Sequence, residues 1–170
     1  SFELKFALKR LVISRGNVFA NLLIIGEAPG AKEDLEGEPY VGKSGKLLDD
    51  LLIEAGIDLH KDVYFCNVIK CRPPNNRKPT NKEINIHKPW LLQQIKLVDP
   101  KFIILTGSTA MRTILEIKKP ISMTRGKWFN KDGREIITIF HPSYLLRFSS
   151  KEVEKPYDLT LKDLKNVSSK

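Results

Sequence analysis

A three-layer α/β/α sandwich around a central four-stranded parallel sheet is predicted by three observations. Four short apolar runs recur along the chain, stretches of helical spacing lie between them, and polar, turn-forming residues follow the end of each run. The chain has 170 residues, 41% of them hydrophobic, which suits one domain with a substantial core, so residues 1–170 are read as a single unit.

Residues 1–20 scatter Lys5, Lys9 and Arg10 among apolar side chains, which predicts a helical N-terminal segment and argues against a signal peptide. The run "NLLIIG" (21–26) is continuous rather than alternating, as expected of a strand covered on both faces. "SGKLLDDLLIEAG" (44–56) places Leu47, Leu48, Leu51 and Leu52 on one helical face and stops at Gly56, suited to a left-handed C′ position. "VYFCNVI" (63–69) is the second strand. "TNKEINIHKPWLLQQIKLV" (80–98) opens with Thr80 and Glu83 at capping-box spacing and turns Ile84, Leu91, Leu92 and Ile95 inward. Its Pro89 is expected to kink or divide the helix. "KFIILTG" (101–107) is the third strand, and "STAMRTIL" continues from it as a helix with Ser108 or Thr109 as N-cap. "EIITIF" (135–140) is the fourth. Residues 149–170 form a highly charged C-terminal segment whose "YDLTLKDLKNV" reads as a surface helix or frayed end.

Composition narrows the function. Lys and Arg number 29 against 20 Asp and Glu, a formal charge of +9, and the simplest use of that surplus is a polyanionic partner. No apolar run approaches the ~20 residues that span a bilayer, so an intracellular protein without membrane contact is expected, in the cytoplasm of a prokaryote, and a monomer is the default. Two cysteines, Cys66 and Cys71, are too few for a disulfide framework or for a zinc or iron–sulfur site of their own, so no metal is predicted.

"GEPYVGKSGK" (37–46) contains a complete match to the phosphate-binding P-loop: Gly37, four residues, Gly42, Lys43, Ser44. Such a loop works by leaving a buried strand and opening a helix, which aims backbone N–H groups at phosphate. Here the preceding "AKEDLE" is polar and averse to strands, Pro39 removes a donor, and no apolar strand downstream ends in a magnesium-binding Asp. The match is read as accidental and an ATPase is rejected.

In parallel α/β sheets ligands sit beyond the C-terminal ends of the strands, which selects "GEAPG", "NVIKCRPPNNRKP", "GST" and "HPSYLLR". Glu27 stands at the mouth of a tight turn made by Gly26, Pro29 and Gly30, placed to orient or activate water; alone it would be a turn cap. Asn67 carries an amide that donates and accepts, the equipment for reading the edge of a base. His141 sits beside a Pro turn with Ser143 free to meet a phosphate. With Tyr40 in the Gly-rich loop between, these groups describe a pocket for a flat polar ring.

The stretches "GEAPGAKEDLEGEPYVGKSGKLLDDLL", "NVIKCRPPNNRKPTNKE" and "HPSYLLR" resemble, in this order, the motifs of the family 4 uracil-DNA glycosylases, from about residue 20 to residue 147. The resemblance implies that Glu27 positions or activates the hydrolytic water or stabilises the cationic sugar, that Tyr40 stacks on uracil where the family usually has Phe, that Asn67 bonds the uracil edge, and that His141 donates to O2 of the leaving base. It implies further that Gly26, Ala28 and Gly42 lie against the substrate, that Gly107, Ser108, Ser143 and "GKSGK" grip phosphates, and that "YLLR" wedges into the vacated stack with Arg147 as a phosphate or groove contact. Lys70, Arg72, Arg77 and Lys78 add a basic stretch suited to sequence-independent DNA binding.

One departure stands out. The family holds a [4Fe–4S] cluster on four cysteines, of which this chain keeps Cys71; His87 takes the second position of that pair and Phe2 the inner N-terminal one. No cluster and no other cofactor is expected, with the N-terminal segment docked by Phe2, Leu4, Phe6 and Leu8 and Cys66 a small buried residue. A loop His that cross-links to uracil-DNA occurs elsewhere in the superfamily, but the basic insertion that goes with it is missing around His87. The reading is a monofunctional uracil-DNA glycosylase that leaves an abasic site for base-excision repair; the alternative is a non-catalytic binder of uracil-containing or abasic DNA.

Overall fold

In the computed structural model, which describes residues 10–170, the four apolar runs lie side by side as the parallel centre of a larger sheet. The expected docking of Phe2, Leu4, Phe6 and Leu8 falls outside the described residues. The central strands are β2 (Leu22–Gly26), β3 (Val63–Asn67), β4 (Phe102–Thr106) and β6 (Arg134–Ile139). Two short antiparallel strands, β1 (Arg15–Gly16) and β5 (Trp128–Lys131), extend the edges, so the described sheet has six strands in the order β1-β3-β2-β4-β6-β5. The four-strand expectation holds for the parallel centre and misses the edges, which are too short or too polar to read as buried runs.

The continuous apolar pattern has the expected consequence: adjacent residues of each central strand enter opposite core layers. Leu22, Ile24, Phe65, Ile104 and Ile137 face α2 (Lys43–Glu54), α6 (Pro142–Arg147) and α7 (Pro156–Ser168) through Leu48, Leu51, Leu52, Leu145, Leu164 and Val167. Leu23, Ile25, Tyr64, Cys66, Ile103 and Leu105 face α3 (Asn81–Val98) and α4 (Ser108–Leu115) through Leu91, Ala110 and Ile114. The helices α1 (Ala31–Glu36) and α5 (Ile121–Thr124) complete the described set.

Local signals explain most element ends. Glu83 N–H donates to Thr80 Oγ1 at 3.1 Å and Thr80 N–H to Glu83 Oε1 at 2.9 Å, the expected reciprocal cap. Gly56 has φ 87°, the left-handed residue after α2. Pro89 does not divide α3, which runs unbroken from Asn81 to Val98. The proline lies on the exposed side, and the carbonyl it orphans belongs to Asn85, itself an exposed residue. The N-cap of α4 is Gly107 rather than Ser108 or Thr109; its φ of 86° suits glycine. Residues 10–20 are not helical: they hold the Arg15–Gly16 edge strand and a turn at Val18–Phe19.

The C-terminal segment is a packed helix, not a frayed end. Besides its apolar contacts, α7 places Asp163 against the two-pronged guanidinium of Arg125, with Nε–Oδ2 at 2.8 Å and Nη2–Oδ1 at 2.5 Å. No helix among the described residues is long and apolar enough to cross a membrane.

Candidate active site

The C-terminal ends of β2, β3 and β6 open onto a cleft of about 600 Å³. Glu27, Ala28, Tyr40, Gly42, Asn67, His141 and Ser143 line it, so seven predicted site residues converge from four separate stretches of sequence. Glu27 leaves β2 with its carboxylate accepting from Thr109 Oγ1 at 2.5 Å, which ties it to the first turn of α4. Asn67 ends β3, nearly buried, and the described residues leave its side-chain amide uncommitted. Gly26 separates the two from the aromatic residue. A Cβ there would stand 1.9 Å from Tyr40 Oη and 2.6 Å from Asn67 Oδ1, so the position admits only hydrogen.

Tyr40 is held in a demanding conformation. Its φ of 59° is left-handed, a region that costs a non-glycine residue about 1–2 kcal/mol. Several contacts fix it there. Arg15 donates to Pro39 O at 2.7 Å and to Tyr40 O at 3.1 Å, while pairing with Asp49 at 2.8 Å and lying 3.9 Å over the Phe65 ring. From the other side α2 presses against the Tyr40 backbone at Gly45, where a Cβ would meet the carbonyl oxygen at 2.0 Å. The hydroxyl lies 3.0 Å from Thr106 Oγ1, whose single proton goes to Ile25 O at 3.3 Å, so Tyr40 is the donor of the pair. Burial pushes the phenol pKa up, which keeps that proton in place.

These contacts also explain the phosphate-loop lookalike. Gly37 ends α1 in a left-handed conformation, φ 79°, and no strand enters the loop; Gly42 is the N-cap of α2, and Gly45 lets α2 approach Tyr40. The glycines serve packing around the aromatic residue.

His141 precedes α6, and its environment selects a tautomer. Nδ1 accepts from Ser143 N–H at 3.1 Å and lies 2.6 Å from Ser143 Oγ, so the neutral ring carries its proton on Nε2, the nitrogen left for the cleft. Burial pushes the His141 pKa down, with the nearby Glu27 carboxylate opposing. The imidazole is therefore neutral at neutral pH. Ser143, expected to be free for a phosphate, spends its hydroxyl on the ring.

Gly26, Lys46, Gly107, Ser108 and Arg147, all expected at the substrate, lie outside the cleft lining. Gly107 sits behind His141, where a Cβ would stand 3.0 Å from the His141 Cβ, and Arg147 ends α6 exposed to solvent. Other residues enter that sequence reasoning missed. Glu33 accepts from Gly30, Val41 and Gly42 N–H at 3.0, 3.2 and 2.6 Å, stapling the turn after β2 to the Tyr40 loop. Its place three residues after Gly30 at the start of α1 is the readable signal. Pro73 and Asn76 close another wall, beside Arg77 of the expected basic stretch. The grip of Arg15 on Tyr40 crosses 25 residues and carries no local signal.

This arrangement is matched by known sequences. A model of the Uracil DNA glycosylase superfamily matches residues 13–165. The chain belongs to that superfamily. It is 42% identical over 163 residues to a type-4 uracil-DNA glycosylase of Thermotoga maritima, covering 94% of this chain and 82% of the relative. To the type-4 uracil-DNA glycosylase of Archaeoglobus fulgidus it is 40% identical over 139 residues, 77% of this chain and 69% of the relative. To that of Pyrobaculum aerophilum it is 35% identical over 163 residues, 90% and 82%. These identities place it with the type-4 branch of the uracil-DNA glycosylases.

The cluster that type-4 resemblance implies does not fit the residues of this chain. The sequence has two cysteines. Cys66 is wholly buried within β3, its thiol pushed up to about 11 by burial, and burial pushes the half-buried Cys71 up as well. Neither is a ready thiolate. His87, where the resemblance implies a second cysteine, spends Nδ1 accepting from Lys70 N–H at 3.0 Å and packs its ring edge-on against Trp90. A four-iron cluster calls for soft thiolate ligands, and this donor set lacks them.

Proposed function

We propose that this chain is a monofunctional uracil-DNA glycosylase that works as a monomer without an iron–sulfur cluster. It takes a uracil flipped out of DNA, hydrolyses the N-glycosidic bond and leaves an abasic site for base-excision repair. The observation that carries the reading is the convergence of Glu27, Asn67, His141 and the Tyr40 ring on one cleft.

A base within a duplex is inaccessible, so the nucleotide is extruded and read in a pocket. The Tyr40 ring offers a stacking surface anchored at its hydroxyl by Thr106. The Asn67 amide, a donor and acceptor side by side, matches the complementary pair on the uracil edge. Bond cleavage leaves positive charge on the sugar and negative charge on the base. A neutral His141 donating from Nε2 to O2 meets charge that grows toward the transition state, and losing one such donor costs about 10²–10³ in rate. Glu27, oriented by Thr109, faces the sugar side, where a carboxylate stabilises the cation and orients water. Lys32 and Lys43 line the cleft, and whether strand breakage needs alkali distinguishes hydrolysis from lyase chemistry there.

The test is cleavage of an oligonucleotide with a single uracil, with and without alkali, beside Glu27→Ala and His141→Ala and an iron assay on the same preparation. Strand breakage only after alkali, lost in both variants and present in iron-free protein, is the expected result. Uracil-dependent binding without an abasic product would move the protein to a damage-sensing role.

A further inference from the structure

Lys70 is 1% exposed, and among the described residues no carboxylate pairs with it. Its Nζ donates to the backbone oxygen of Asn67 at 2.5 Å and to Gln94 Oε1. Gln94 is itself anchored, its Nε2 donating to Ile13 O at 3.0 Å and to Tyr64 Oη at 3.3 Å. The Lys70 backbone N–H donates to His87 Nδ1. A buried amine without a counter-ion stabilises a fold less than an apolar side chain of the same length, so folding does not explain it. The carbonyl it grips belongs to Asn67, which lines the cleft and whose side-chain amide has no hydrogen-bond partner among the described residues.

Beyond Asn67 the ladder between β2 and β3 continues only through N–H groups of the outgoing chain. Val68 N–H donates to Gly26 O at 2.8 Å and Ile69 N–H to Glu27 O at 3.1 Å. Those bonds position Gly26 and Glu27. The Asn67 carbonyl takes its donor from Lys70 instead. With the plane of the Asn67 backbone held, the direction of its Cα–Cβ bond is set, and with it the reach of the amide.

We propose that Lys70 is a positioning residue for the base-reading amide of Asn67, its ammonium clamping the Asn67 carbonyl and braced by Gln94 and His87 on α3. The proposal rests on the reading of Asn67 as the uracil-binding side chain. The same brace joins α3 and the Ile13 segment to the end of β3, so it provides a cross-link near the place where His87 stands in for a cysteine.

The experiment is a double-mutant cycle in single-turnover cleavage of uracil-DNA with Lys70→Met, Asn67→Ala and the double variant, together with affinity for the abasic product. Lys70→Met keeps length and removes both hydrogen bonds of Nζ, to Asn67 O and Gln94 Oε1. It is expected to slow cleavage about tenfold to a hundredfold, the range for losing a charged hydrogen bond, while affinity for abasic DNA, which has no base to read, stays within about twofold. In the Asn67→Ala background the substitution should cost nothing more, because its effect runs through the missing amide. The same fold-loss in both backgrounds, or no loss in either, overturns the proposal while leaving Asn67 as the reader. Wild-type cleavage by Asn67→Ala would overturn the reading of Asn67 itself, and the role of Lys70 with it. If Lys70→Met does not fold, Gln94→Leu decides: a slowing that vanishes in the Asn67→Ala background supports the clamp, and one that persists overturns it.

Discussion

Ser143 decides which nitrogen of His141 faces the cleft, because its backbone N–H needs an acceptor and Nδ1 is two residues away. The consequence is a pH profile. With its pKa lowered by burial in the folded protein, His141 stays neutral below the ordinary imidazole value of about 6.5. The single-turnover rate should therefore stay level from pH 8 to about 6.5 and decline only below it. Stability follows the same sign: the unfolded chain binds the proton first, so the contribution of this group is complete above about 6.5 and is lost as pH falls through the folded value. Paired rate and urea-melt measurements between pH 8 and 5 check both, and a rate that rises as His141 protonates would show that the imidazolium is the active form. Glu27, Asn67 and His141 were legible in the sequence because each directly follows or ends a buried run. The hydroxyl of Ser143 was misread as free because its partner is set by the local turn.

The loop from Gly37 to Lys46 resembles a phosphate loop in sequence and is a packing device in space. The deciding contact is the approach of α2 to Tyr40 at Gly45. Gly45→Ala adds a methyl 2.0 Å from a backbone oxygen, which no rotamer relieves. Overpacking of this kind costs about 1–3 kcal/mol, and a melting temperature lower by about 3–9 °C is expected together with a raised KM as Tyr40 is displaced. Calorimetry and steady-state kinetics on the one variant check this; an unchanged KM would show that the position of Tyr40 does not matter for substrate. At the same scale, the reading missed the hairpin of β5 and β6 although its turn is Asp132-Gly133, both at positive φ and a strong two-residue hairpin signal. The polar edge strand before it hid the pattern. Pro89 was overweighted because one missing hydrogen bond on an exposed face does not stop a well-capped helix.

Over the whole molecule the formal charge of +9 sets the field in which DNA is met, and Lys32, Lys43 and Arg77 bring part of it to the cleft. Arg77 is half spent on Glu83 at 2.6 Å, so Lys43 is the clearer probe. Lys43→Ala should weaken binding to uracil-free duplex and reduce the slope of log affinity against log salt by about 1, measured by fluorescence anisotropy. An unchanged slope would remove Lys43 from the phosphate contacts. The sequence by itself determined the parallel centre of the sheet, the layering, the glycine stop of α2, the Thr80 cap of α3 and the three polar groups at the strand tips, because these follow from hydrophobic period, caps and the few residues beyond each run. Tertiary structure alone decided the strained backbone of Tyr40, the grip of Arg15 on it, the tautomer of His141 and the clamp of Lys70 on Asn67. Each of these joins groups whose meeting depends on how elements pack, and a linear pattern carries no record of which side chain lies across a layer.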